Sequence, residues 1–156
     1  MKYFAYGSNL NQKYMQWRCK DAVCLGTHTL QGYQLVFRFY ADIIPSQNNA
    51  VKGGLWEISK NDETALDRYE GYPDLYEKYY EGDIMFYRMC DENRNYGLPS
   101  NGYLEDLLDG MEDFGLDPLV DLNANLGNSP SQATHSKGDN VAYAMQIIAD
   151  ALGIAL

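Results

Sequence analysis

Tyr3-Phe4-Ala5-Tyr6-Gly7-Ser8-Asn9-Leu10 is the stretch around which the rest of the chain is organised. Its apolar and aromatic run reads as a short buried strand, and Gly7-Ser8-Asn9 breaks that strand sharply. Gly7 lets backbone come close to something small. Ser8 and Asn9 cap or turn the chain and leave nearby backbone N–H groups free to point outward. Taken alone, the tripeptide is also ordinary turn chemistry. Whether it is more than a turn depends on what the chain brings to it.

The 156 residues suit one domain with a real core, and 46% hydrophobic against 22% charged residues describes a globular chain. The net charge of −10 argues against nucleic acid or an anionic membrane as the main partner. Met1-Lys2 leads directly into the strand without an apolar leader, and no apolar run approaches membrane-span length, so a cytoplasmic protein is expected. Cys19, Cys24 and Cys90 fit no zinc pattern and read as reduced thiols. His28 and His135 each stand alone among small polar residues, which suggests surface positions. Fourteen tyrosines are the compositional oddity; they are either packing residues or the lining of a pocket that needs hydroxyls on apolar bodies.

Asn11 to Cys19 reads as a short helix on which Tyr14 and Trp17 share a face. Gly26 to Gly32 reads as a loop, Tyr33 to Tyr40 as a strand, Ala41 to Asn49 as a loop and Val51 to Ile58 as a strand. Ser59 and Asp62 have capping-box spacing at the start of a helix that Gly71 and Pro73 stop. Tyr76 to Tyr80 and Ile84 to Cys90 form a hairpin turning at Glu81-Gly82-Asp83, followed by a polar loop from Asp91 to Leu98. Ser100 caps a helix with Leu104, Leu107, Leu108 and Met111 on one face and Gly115 at its end. Strands early and helices late, without regular alternation, indicate an α+β fold with a mixed or largely antiparallel sheet.

Residues 1–122 read as the principal domain and 123–140, rich in Asn, Ser and Gly, as a linker or mobile loop. Residues 141–156 read as an amphipathic helix with Val141, Met145, Ile148 and Leu152 along one stripe. That stripe needs cover, from its own domain or from a second copy. A single helix with several alanines is a thin dimer seam, which favours docking on its own domain. The oligomeric state stays open between monomer and homodimer.

Glu70 is the second residue of interest. It stands at the C-terminal end of the helix in Leu66-Asp67-Arg68-Tyr69-Glu70-Gly71-Tyr72-Pro73, facing the negative end of the macrodipole among aromatic neighbours. Both effects raise its proton affinity, which suits a group that takes and returns a proton near neutral pH. A solvated Glu beside a turn is the plainer alternative.

Together these segments resemble the γ-glutamyl cyclotransferase family. The resemblance is carried by Tyr6-Gly7-Ser8-Asn9-Leu10, by Leu66-Asp67 with Glu70-Gly71 and Tyr76, and by Tyr87-Arg88-Met89. It continues through Pro99-Ser100-Asn101-Gly102-Tyr103-Leu104 and ends in Gly110-Met111-Glu112 with Gly115-Leu116. It covers about the first 120 residues, and Asn9 with the Pro-Ser-x-x-Tyr segment is more similar to the enzymes acting on γ-glutamyl amino acids. The resemblance implies a small mixed barrel-like sheet with flanking helices and a pocket at its mouth. It implies conversion of a γ-glutamyl amide into 5-oxoproline and a free amine, without metal or cofactor. Carried residue by residue, Glu70 is the acid/base, while Tyr6, Gly7, Ser8, Asn9, Leu10, Tyr76, Tyr87 and Tyr103 bind substrate.

The residues agree with that chemistry on their own terms. The substrate's own α-amine attacks its γ-carbonyl, so the protein supplies no nucleophile; it holds a folded substrate in attack geometry. One carboxylate moves the proton, and backbone N–H groups from Gly7 to Leu10 receive a carboxylate or the developing oxyanion. Ser8 as a hydrolytic nucleophile lacks the second glycine of a nucleophile elbow and a histidine nearby in sequence. A binding or interaction module that keeps the fold without the activity is the alternative of a different class.

Overall fold

The computed structural model describes residues 1–90, 95–128 and 140–156. Its strands are β1 (Lys2–Ala5), β2 (Val23–Arg38), β3 (Tyr40–Glu57), β4 (Tyr76–Glu81) and β5 (Ile84–Met89). Its helices are α1 (Gln12–Arg18), α2 (Lys60–Glu70), α3 (Asn101–Asp113), α4 (Val120–Asn125) and α5 (Asn140–Leu152), with a single 3-10 turn over Ser8–Leu10. The sheet order is β2-β3-β1-β5-β4. β1 lies at its centre, antiparallel to β3 and parallel to β5. This is the expected mixed α+β architecture, with one correction. β2 and β4 lie at opposite ends of the order, so the sheet is not closed into a barrel.

β1 occupies the centre because it has apolar side chains on both faces: Tyr3, Phe4 and Ala5 are all buried. Phe4 on β1, Trp56 on β3 and Met85 on β5 are fully buried. Each contributes about 1.5–3 kcal/mol by leaving water.

The two expected loops on either side of Tyr33–Tyr40 are strand instead. β2 and β3 form one long antiparallel ladder from Val23↔Glu57 to Arg38↔Tyr40. The glycines and polar residues that suggest loops are absorbed as register shifts, one between Cys24 and Gly26 and one between Gln31 and Tyr33. Opposite the second shift, Ser46 and Asn49 bulge outward and bond to Gln34 and to each other. His28 is also corrected: it lies half-buried on β2 with its ring 5.6 Å from that of Phe4. His135 lies outside the described residues.

The helix ends follow the local chemistry. Ser59 Oγ accepts from Asp62 N–H at 3.1 Å while Asp62 Oδ2 accepts from Ser59 N–H at 3.0 Å, a complete capping box. Ser100 Oγ accepts from Tyr103 N–H at 3.1 Å and caps α3. Met15 on α1 and Cys19 just after it face the core, whereas Trp17 is 72% exposed, so the expected Tyr14 and Trp17 face points to solvent. α3 lies directly against the turn after β1. A Cβ on Gly110 would come within 2.5 Å of Asn11 N, so only glycine admits that approach.

The boundary expected at 122 falls inside a packed element. α4 spans it, and the buried Asn125 mimics a strand edge. Its Oδ1 accepts from Lys52 N–H at 2.8 Å and its Nδ2 donates to Lys52 O at 2.9 Å. Of the expected linker, residues 129–139 lie outside the described residues. α5 docks on its own domain against α3, β2 and α4. Its buried face is Ala144, Ile147, Ile148 and Ala149, a rotation from the expected stripe that leaves Val141, Met145 and Leu152 at its margins. Gly153, at a φ of 69°, ends the helix, and Gly153 N–H and Ile154 N–H return to Asp150 O and Ala149 O.

Candidate active site

The end of β1, the 3-10 turn, the end of α2 and the start of β4 converge on one cavity of about 230 Å³. Tyr3, Tyr6, Gly7, Ser8, Asn9, Tyr40, Ala41, Tyr69, Glu70, Leu75, Tyr76, Tyr87 and Tyr103 line it. Eight of the nine residues singled out in the sequence therefore share a wall. Leu10 does not. Its side chain is 1% exposed in the core, and its N–H is spent on Gly7 O at 3.0 Å within the turn.

Glu70 is where it is because Gly71 adopts a φ of 67° and turns the chain immediately after it. Gly71 N–H and Tyr72 N–H bond back to Arg68 O and Asp67 O, closing α2. The carboxylate of the last helical residue is thereby aimed into the cavity. Burial pushes its pKa up to about 7, opposed by the positive charge of Arg18. Glu70 Oε1 accepts a hydrogen bond from Asn9 Nδ2 at 3.1 Å.

Asn9 is 2% exposed and bonded on every side. Besides Glu70, its Nδ2 donates to Tyr3 Oη at 3.0 Å, and its Oδ1 accepts from Arg18 Nη1. The Arg18 guanidinium lies over the ring of Tyr69, 3.5 Å from its centroid. Ser8 Oγ pairs with the Tyr69 hydroxyl at 2.7 Å rather than with a histidine.

The tyrosine hydroxyls divide by what they bond. Tyr6 donates to Tyr87 O at 2.6 Å, Tyr76 to Ala41 O at 2.8 Å and Tyr87 to Asp67 Oδ1 at 2.7 Å. These three brace the wall. Tyr103 Oη instead accepts from Ala41 N–H at 3.1 Å and so keeps its own proton for a ligand. Burial raises the pKa of Tyr3, Tyr6, Tyr76, Tyr87 and Tyr103, so all remain protonated at neutral pH. Gly7 sits under Tyr103: a Cβ there would be 3.0 Å from Tyr103 Oη and 3.1 Å from Ala41 Cβ.

The family model described as gamma-glutamyl cyclotransferase, AIG2-like, matches residues 3–94. The chain belongs to this family. No curated protein matches it by sequence. Among solved structures it is similar to one named gamma-glutamyl cyclotransferase, at 22% identity and a TM-score of 0.67, over 94% of this chain and 98% of that one. It is also similar to an uncharacterised protein from Homo sapiens, at 23% identity and a TM-score of 0.65, over 93% and 97% of the two chains. At these identities the structural likenesses show the fold. The family match contains both the turn after β1 and Glu70; Tyr103 lies beyond it.

Several cavity residues carry little sequence signal. Tyr3 and Tyr69 look like core and helix-surface tyrosines and Tyr40 like a strand end. Arg18, which touches Asn9 and Tyr69 without lining the cavity, looks like one more charge on a short helix. The lone signal for Arg18 is its place one turn after Tyr14 in a chain with few cations. Among the described residues, no three His, Cys, Asp or Glu side chains are arranged to hold a metal ion. Cys19, Cys24 and Cys90 form no disulfide, and burial pushes the Cys19 thiol up to about 11. No described helix is long and apolar enough to cross a membrane.

Proposed function

We propose that this protein is a cofactor-independent cyclotransferase that releases 5-oxoproline and a free amine from a γ-glutamyl amide. The observation that carries the reading is Glu70: a carboxylate in a tyrosine-lined cavity, hydrogen-bonded to Asn9, with a pKa near 7. Such a group is both a competent base and a competent acid at neutral pH.

Glu70 removes a proton from the substrate's α-amine. The nitrogen attacks the γ-carbonyl carbon and a five-membered ring closes. The tetrahedral intermediate collapses, its bond to the original amide nitrogen breaks, and Glu70 returns the proton to that nitrogen. Glu70 ends as it began, and no bond to the protein forms. The cavity's task is to hold the substrate folded, with amine and carbonyl in contact. The Tyr103 hydroxyl, with its uncommitted proton, and the backbone of Gly7, Ser8 and Asn9 serve the oxyanion and the α-carboxylate. Tyr6, Tyr76 and Tyr87 shape the walls. Free thiols and an acidic chain suit a cytoplasmic enzyme of small molecules, acting as a monomer or homodimer.

The test is 5-oxoproline release from a panel of γ-glutamyl dipeptides and γ-glutamylamines. Turnover of at least one class, abolished by Glu70→Gln, is expected. Binding without release across the whole panel points instead to a non-catalytic module on the same fold.

A further inference from the structure

Arg18 ends α1 and reaches back toward the turn after β1. Its guanidinium stacks on the Tyr69 ring and donates to Asn9 Oδ1. Among the described residues it forms no ion pair, whereas Arg38 is paired with Asp42 and Lys78 with Asp67 and Glu63. We propose that Arg18 is a positioning residue for Glu70, acting through the Asn9 carboxamide. The inference deepens the acid/base reading of Glu70 and rests on it.

A guanidinium only donates. By occupying Asn9 Oδ1 it dictates which end of the amide faces the cavity. Nδ2, with its two protons, then meets two acceptors, Tyr3 Oη at 3.0 Å and Glu70 Oε1 at 3.1 Å. The reversed amide would set Nδ2 against the guanidinium and Oδ1 against the carboxylate, two repulsive contacts. Stacking on Tyr69 holds the guanidinium in the plane this requires.

The charge matters as well as the orientation. A direct Arg–carboxylate pair would hold Glu70 ionised and suppress its basicity. With one amide interposed, the positive charge moderates the effect of burial without cancelling it. Tyr3, Tyr6, Tyr76, Tyr87 and Tyr103 also face Glu70, from β1, the following turn, β4, β5 and α3, and all five are neutral at pH 7. Tyr40 and Tyr69 line the same cavity. Among the described residues, Arg18 supplies the charge that acts on Glu70.

The experiment is a ¹³C NMR titration of the Glu70 carboxyl in the full chain, compared with Arg18→Gln, Arg18→Lys and Asn9→Ala. Arg18→Gln should move the midpoint upward by about 0.5–1 pH unit. Arg18→Lys keeps the charge but loses the planar donor stacked on Tyr69, so it should move the midpoint upward by less than Arg18→Gln does. Asn9→Ala removes the donor to the ionised form and should also move the midpoint upward. The alkaline shift should reappear in the kcat/KM profile of Arg18→Gln. If Arg18 only anchors α1 on Tyr69, Arg18→Gln and Arg18→Lys lower the melting temperature together and leave the Glu70 midpoint in place. That result, or an unmoved midpoint in Asn9→Ala, overturns the proposal. Because NMR reads Glu70 without turnover, a chain in which the midpoint moves but Glu70→Gln still forms 5-oxoproline retains this relay and loses the proposed function.

Discussion

Asn9 and Glu70, 61 residues apart in the chain, meet through a hydrogen bond of 3.1 Å from the Asn9 amide to the Glu70 carboxylate. One belongs to the turn that ends the central strand and the other is the last residue of α2. The contact joins the turn after β1 and the end of α2 into one candidate site.

Glu70→Gln keeps the shape and an acceptor for Asn9 but loses the proton carrier. Turnover should fall about 10²–10⁴-fold while substrate binding, measured calorimetrically, stays close to wild type. Near-wild-type 5-oxoproline formation would remove Glu70 from the acid/base role.

The pH dependence follows from a carboxyl raised from 4.5 to about 7. Because the base form is required, kcat/KM should climb through a midpoint near pH 7 and then level. The stability effect has the opposite sense. Between these two pKa values the folded state binds the proton more tightly than the unfolded state, so stability is lost as pH rises through that window. The loss reaches about 3 kcal/mol above pH 7. Glu70→Gln lacks this term, so it should melt above the wild type at pH 8 and near it at pH 4. Equal differences in melting temperature at both pH values would contradict the assignment.

Gly7→Val places methyl groups where Tyr103 Oη and Ala41 Cβ already lie at 3.0 and 3.1 Å from a bare Cβ. The loop must shift, at about 1–3 kcal/mol, and kcat/KM should drop at least about tenfold. Ser8→Ala removes only the hydroxyl pair with Tyr69 and should cost far less activity. Loss of all activity in Ser8→Ala, or a covalent adduct on Ser8, would favour a serine hydrolase instead.

Stability and chemistry separate at the C-terminal end. Ile148 is fully buried on α5, and Ile148→Ala should destabilise by about 2–4 kcal/mol. Asn125→Ala leaves Lys52 N–H and O without partners and should cost about 1–3 kcal/mol. Both should lower the denaturant midpoint yet keep wild-type kcat at low temperature, since neither residue lines the cavity.

Local chemistry decided much of this protein from the sequence alone. The buried β1 run, the Ser59–Asp62 and Ser100 caps, the glycine stops at 71 and 115 and the apolar face of α3 each depend on residues a few positions apart. The place of Glu70 at the end of a helix that Gly71 stops was legible for the same reason, but its raised pKa comes from burial, which the adjacent sequence does not carry. What depended on distant partners was not legible. The glycine and polar runs flanking Tyr33–Tyr40 became strand because each found a register on the other, and the turn-like Asn125 became a buried strand mimic because Lys52 stood opposite. Leu10 left the site because α3 packs over it, and Arg18 entered because Tyr69 and Asn9 came to meet it. Periodicity and capping act along the chain and can be read from it; pairing, burial and the charge that reaches a half-buried carboxylate act across it, and only the tertiary structure decides them.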